Sequence, residues 1–146
     1  MKAGIPFPSS LFSLSLLLLA LPVTPPASAQ PLMTFHDRLA LPQPPADRTI
    51  AYGPAPQQVA ELRLPKGAGP HPVVILVHGG CWQAPWGFDH VRSLAAALTA
   101  EGQATWSLEY RRLGDPGGGW PGTFEDVACG ADHLREVARE HPLDLD

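Results

Sequence analysis

Val73-Val74-Ile75-Leu76-Val77 runs straight into His78-Gly79-Gly80-Cys81-Trp82. Four of the first five residues are β-branched and none is polar. The loss of alternation predicts a strand buried on both faces of a parallel sheet. The residues after such a strand lie at its carboxyl end, where open α/β sheets bind their ligands. Gly79 and Gly80 permit a tight bend with no Cβ in the way. That bend can turn the backbone amides of Gly80 and Cys81 toward a negative oxygen, and such donors stabilise charge as it develops in a tetrahedral intermediate. Taken alone, His-Gly-Gly fits an ordinary glycine turn beside a buried histidine equally well, so the flanks carry the decision.

Downstream, residues 88–101 place Val91, Leu94, Ala95 and Leu98 on one helical stripe, and Gly102 stands where a glycine ends a helix. A second strand is expected over 104–110, with Trp106 and Leu108 on one side. A right-handed crossover through the helix makes the two strands parallel. Arg111 to Gly122 is a glycine-rich loop. The next helix is expected to start at Thr123 as N-cap, with Asp126 as its capping-box partner and first-turn carboxylate. Phe124, Val127, Ala131, Leu134 and Ala138 mark its buried stripe, Gly130 weakens it, and Pro142 ends it. No further strand is expected after it, so the sheet reads as unfinished.

Upstream, Val59–Leu64 alternates in part and reads as a short outer strand, and residues 65–72 as a turn. Residues 30–56 hold Pro31, Pro42, Pro44, Pro45, Pro54 and Pro56 and read as an extended lead-in, because proline lacks the amide donor. Residues 1–29 resemble a secretory signal peptide: Lys2, an apolar run from Leu11 to Leu21, then Ala27-Ser28-Ala29. The run is too short for a permanent transmembrane helix. The expectation is a secreted or periplasmic protein with no stable membrane insertion once the signal is cleaved.

Composition narrows the function. The chain has 146 residues, Gly 14 and Pro 18, 45% apolar residues and a net charge of -4. With no basic patch, nucleic-acid binding is disfavoured. Cys81 and Cys129 form no Cys-x-x-Cys and no zinc spacing, and an oxidising compartment permits a bond between them without requiring one. No phosphate-loop or dinucleotide glycine motif comes after the apolar strand. A flavodoxin-like or nucleotide-binding protein is thus the weaker α/β alternative.

The segments VVILVHGGCW, LEYRRLGDPGGGWPGTFEDV, DHL and HPLDLD resemble the α/β-hydrolase superfamily. The likeness is to its esterase/lipase branch, related to kynurenine formamidases and to feruloyl and carboxyl esterases. It spans residues 59–146 and makes 57–146 the N-terminal half of a hydrolase domain. It implies an incomplete α/β-hydrolase fold, a parallel sheet flanked by helices and truncated before the nucleophile strand. His78, Gly79, Gly80 and Cys81 would form the oxyanion loop, with the amides of Gly80 and Cys81 as donors. Cys81 stands where many relatives have Gly or Tyr, and any non-proline residue supplies the amide. Trp82 would line the acyl or leaving-group pocket. The implied activity is that of a serine hydrolase of carboxylic esters or aryl-formamides, acting on a small-molecule ester or amide without cofactor or metal.

The rest of that machinery does not match. G-x-S-x-G is missing, and the only serines after residue 29 are Ser93, placed in a helix, and Ser107, placed in a strand. His141 and Asp144 precede the family's elbow and are rejected as triad members. The elbow strand would lie beside Val73–Val77, and this chain alone is expected to be catalytically silent. A non-catalytic secreted binding module built on the half-fold is the alternative. Glu109 is expected to pair with Arg111 and Arg112, and His133 to lie at the surface. Trp86 and Trp120 fit either a cleft border or core packing.

Overall fold

The computed structural model describes residues 32–146. The signal-peptide reading of residues 1–29 lies outside them. The unit Met33–Asp146 carries, in order, helix α1 (Phe35–Leu39) and strands β1 (Arg48–Ala51), β2 (Val59–Arg63) and β3 (His71–Val77). A 3-10 turn (Phe88–Val91) then leads into α2 (Arg92–Ala100), followed by β4 (Ala104–Leu108), α3 (Gly122–Val137) and β5 (Leu143–Asp144). The strands form one sheet in the order β1-β2-β4-β3-β5. β1 with β2 and β2 with β4 run antiparallel, while β3 is parallel to both β4 and β5. The expected crossover is present: β3, α2 and β4 form a βαβ unit with Val77 opposite Leu108.

The centre of the sheet is β4 rather than β3. Every residue from Ala104 to Leu108 is buried, whereas Ile75 is 41% and Val77 47% exposed. β4 is paired on both edges, by β2 and by β3. β3 is paired by β4 from Val73 to Val77, but on its other edge only at His71 and Pro72, by β5. An apolar, β-branched run marks a strand with the capacity to be buried, and only its neighbours decide whether it is. β2, expected at the outside, is an inner strand covered by β1. Its polar residues are paired there: Arg92 donates to both Glu61 carboxylate oxygens at 2.7–3.2 Å, and Arg63 donates to the Pro45 carbonyl at 2.8 Å.

The apolar core lies between β2, β4 and α3: Ala60, Leu62, Trp106, Leu108, Leu134 and Val137. The opposite face of β4 carries Thr105 and Ser107 toward α2, where the Thr99 and Thr105 hydroxyls stand 3.4 Å apart. Gly102, with φ +91°, ends α2 as expected. The Gln103 amide donates to the Leu98 carbonyl and that of Gly102 to Thr99, the paired bonds of a Schellman motif. Of the expected α2 stripe only Ala95 is fully buried, and Leu94 faces outward.

α3 is rotated from its expected setting. Thr123, Asp126, Gly130, Leu134 and Val137 face inward, and Phe124 is 49% exposed. Gly130 is what fixes this rotation. A Cβ there would lie 2.7 Å from Leu108 Cδ2, and the indole of Trp106 donates to its carbonyl at 2.9 Å. A side chain is excluded where the helix meets the sheet, so Gly130 is a close-approach residue and not a weak point. Thr123 is not the N-cap either. Pro121 occupies that place, and Thr123 lies inside the helix, donating to the Arg111 carbonyl at 2.5 Å and accepting the Gly119 amide at 2.9 Å.

Two further expectations are corrected. The lead-in contains α1, closed by a Thr34–Asp37 capping box, and β1, which fits in the proline-free stretch between Pro45 and Pro54. A strand does come after α3, the two-residue β5. Among the described residues no helix is long and apolar enough to cross a membrane.

Candidate functional site

β3 ends at Val77 and the chain folds back sharply. Gly80, Cys81 and Trp82 have φ of +119°, +54° and +57°. Gly80 is obligatory, because a Cβ would lie 2.4 Å from Trp86 Cβ. Cys81 and Trp82 are side-chain-bearing residues in left-handed backbone, at a cost of about 1–2 kcal/mol each. The turn is held from both sides. The Gln83 amide donates to the Gly80 carbonyl at 3.1 Å, the Leu113 amide to Trp82 at 2.6 Å, and the Ala84 amide to Leu113 at 3.0 Å. Among the described residues, no acceptor takes the amide of Gly80 or of Cys81.

His78 anchors the start of the turn. It is buried, with its ring stacked on Tyr110 at 4.3 Å. Its Nε2 lies 2.8 Å from Glu109 Oε1 and its Nδ1 2.9 Å from the Gly79 carbonyl, and Tyr110 Oη donates to the His78 carbonyl at 2.7 Å. Both ring nitrogens face oxygens, one the Glu109 carboxylate and the other a backbone carbonyl. A ring engaged in this way positions the backbone and is not poised to take a proton from a substrate.

Glu109 departs from its expected pairing. Its first partner is His78. Arg112 stands at 3.5 Å, while Arg111 pairs instead with Asp126 through bonds of 2.8 and 2.6 Å. Burial would raise the Glu109 carboxyl, but the His78 hydrogen bond and charge and the Tyr110 and Phe88 amides outweigh it and hold it below the ordinary range. Asp126 is likewise no cap. It is buried, accepts from Arg111 and from Gln58 at 2.7 Å, and is held low against the opposing effect of burial. Arg112 ties the two loops together, pairing with Asp115 at 3.0 Å and donating to the Trp86 carbonyl at 2.6 Å.

Trp82 lies on the open surface, 53% exposed, with its ring 5.9 Å from Phe124, which in turn stands 5.2 Å from Trp120. Trp82 does not line the open cleft beside Gly79 and Gly80. A cavity of 270 Å³ is lined by Arg38, Gly79, Gly80, Trp86, His90 and Val91. Ser93 is in α2 and Ser107 in the middle of β4, neither on a turn. Asp144 pairs with Pro72 at the amino end of β3, the far end from His78. Cys81 and Cys129 are both free and exposed, and His133 is half-buried. Among the described residues no group of acidic, His or Cys side chains could hold a metal ion.

The His78–Glu109 pair was open to sequence reasoning. Each residue comes directly after one of two adjacent parallel strands, so the register that sets Val77 beside Leu108 makes them the next neighbours.

No curated protein sequence matches the chain. Among solved structures it is similar to esterase B of Lactobacillus rhamnosis, at 25% identity and a TM-score of 0.61, over 77% of this chain and 37% of that one. The same enzyme, solved with a C4-C4 SN3 tributyrin phosphonate inhibitor, matches at 25% identity and a TM-score of 0.61 over 77% and 38%. A bifunctional GH43-CE protein of Bacteroides eggerthii matches at 25% identity and a TM-score of 0.55, over 65% of this chain and 14% of that one. The chain thus spans well under half the length of these relatives, consistent with an incomplete α/β-hydrolase fold. The profile of the BD-FAE family matches residues 61–146. The chain belongs to the BD-FAE family, an esterase family of the α/β-hydrolase type.

Proposed function

We propose that this chain supplies the oxyanion half of an exported serine hydrolase that cleaves carboxylic esters or aryl-formamides. The observation that carries the reading is the left-handed turn at Gly80–Trp82, at the carboxyl end of β3, with two amides that have no acceptor among the described residues. Turns of this kind gather successive N–H groups into a concavity suited to an anion. As a carbonyl carbon becomes tetrahedral its oxygen gains charge, and the Gly80 and Cys81 amides donate to it. Removing one such donor costs about 3 kcal/mol in systems where it has been measured. His78 and Glu109 keep the turn in place and do not touch the substrate. The nucleophile, base and acid are not Ser93, Ser107, His141 or Asp144, and on this reading a further polypeptide segment provides them. Esterase neighbours, one of them solved with an ester-like phosphonate, support a small-molecule ester as substrate.

The test extends the chain through the reading frame downstream of its last codon and assays p-nitrophenyl acetate hydrolysis. The extended protein is expected to be active and to be labelled by a fluorophosphonate, while the 146-residue chain is neither. Gly80→Ala in the active form should lower kcat by about a hundredfold with KM little changed. Labelling of Ser93 or Ser107, or full activity in Gly80→Ala, would overturn the proposal.

A further inference from the structure

Trp82, Phe124 and Trp120 form an open row of rings, with neighbouring centroids 5.9 and 5.2 Å apart. They are 53%, 49% and 82% exposed. Leu113 is exposed beside them. Its amide donates to the Trp82 carbonyl, and a Cβ on Gly119, the residue before Trp120, would lie 3.0 Å from its Cδ2. The ionic groups of the surrounding loop are turned to one another. Arg111 pairs with Asp126 at 2.6 Å and Arg112 with Asp115 at 3.0 Å. Asp115 is the only charged residue in 113–124, and Glu125, next to Phe124, is exposed.

Contiguous exposed apolar residues mark interaction sites. Both arginines of the loop are engaged, so an occupant meets rings and no cation seeking an anion. Exposure this high is that of a surface rather than a pocket, and what it fits is the face of an aggregate. Tryptophan suits such a boundary, because its ring is apolar while its N–H can stay in water. The row begins at Trp82, directly after Cys81, whose amide is proposed for the oxyanion. An ester held at the boundary therefore stands next to that donor. We infer that Trp82, Phe124 and Trp120 dock this protein onto droplets of an uncharged acylglycerol, the aggregated form of an ester substrate. Glu125 and the net charge of -4 set the protein against an anionic surface. The inference rests on the esterase reading for the identity of the ester, but not for the docking.

The test titrates the full 146-residue chain with droplets of triolein brominated across its double bonds. Bromine quenches indoles that enter the oil, so the signal does not report attachment through the apolar run Leu11–Leu21. Tryptophan emission is expected to be quenched. Phe124→Ser keeps all four tryptophans and should need about tenfold more droplet surface, while Phe124→Leu stays near wild type. Phe124 is exposed, so both variants keep the fold, which an unchanged circular-dichroism melt verifies. Oleate added to the droplets should weaken binding, and Ile75→Lys with Val77→Lys at the β3 edge should leave it unchanged. Absence of quenching, an unshifted titration in Phe124→Ser, or tighter attachment to oleate-bearing droplets overturns the inference. So does tighter binding to vesicles of brominated phosphatidylcholine, or a dimer that Phe124→Ser converts to monomer in sedimentation velocity, which would give the row to a second copy. Hydrolysis is not read in this assay, so its outcome is separate from that of the esterase proposal.

Discussion

His78 Nε2 and Glu109 Oε1 meet at 2.8 Å, one step beyond the register pair Val77–Leu108, where two parallel strands give way to loops. The pair closes the open end of the sheet, because Glu109 also accepts the amides of Tyr110 and Phe88 at 3.1 Å each. Replacing Glu109 with Ala leaves His78 buried without its partner and should cost about 3–5 kcal/mol, read as a fall in urea midpoint at constant m. Glu109→Gln, which retains an acceptor oxygen, should cost less. Equal midpoints for wild type and Glu109→Ala would show that the pair carries no stability.

The same carboxylate makes stability depend on pH. Its pKa is lower in the folded chain than in the unfolded one, as are those of Asp115 and Asp126. The unfolded state therefore binds protons first as pH falls. The contribution of Glu109 is fully present above the ordinary carboxylate range and is lost as pH drops through that range toward the folded value. Melting temperature should fall on acidification below about pH 5, with a shallower slope in Glu109→Gln. Parallel slopes in the two proteins would contradict the assignment.

Gly130 sets two effects against each other. Alanine gains about 1 kcal/mol of helix propensity in a helix interior. At this position its Cβ meets Leu108 Cδ2 at 2.7 Å and the Tyr52 ring at 3.2 Å, and overpacking of this kind costs about 1–3 kcal/mol. The expected sum for Gly130→Ala is destabilisation of up to about 2 kcal/mol, visible in the thermal midpoint. A raised midpoint would mean that α3 stands further from β4 than these contacts imply.

Ile75 and Val77 are expected to make the chain self-associate. Both point from a strand whose outer edge is paired only at His71 and Pro72. Unpaired edges with exposed apolar residues invite pairing with other chains. Ile75→Lys combined with Val77→Lys should shift the chain toward monomer in sedimentation velocity while its circular-dichroism spectrum stays the same. Unchanged association in that variant would place the contact elsewhere.

Local features were legible in the sequence, and relationships between distant segments were not. The strand ending in His-Gly-Gly, the crossover helix and the Gly102 terminus depend on neighbouring residues, and all three are found. Burial of β3 failed because it depends on which strand lies next to it. The rotation of α3 was missed because it is set by Gly130 against Trp106 and Leu108, a fit that helical periodicity does not contain. The His-Gly-Gly turn could be placed at a strand end, but its bracing by Leu113 and Arg112 comes from a loop with no regular pattern.

β5 occupies only the first rungs of the free edge of β3, yet it sets a direction there. Leu143 lies beside His71 and Asp144 beside Pro72, both strands running the same way. Any strand joining this edge in step with β5 is led along β3 and released level with Gly79. Two paired residues at the amino end of β3 thereby fix the direction in which this edge can be extended toward His78 and the turn after it.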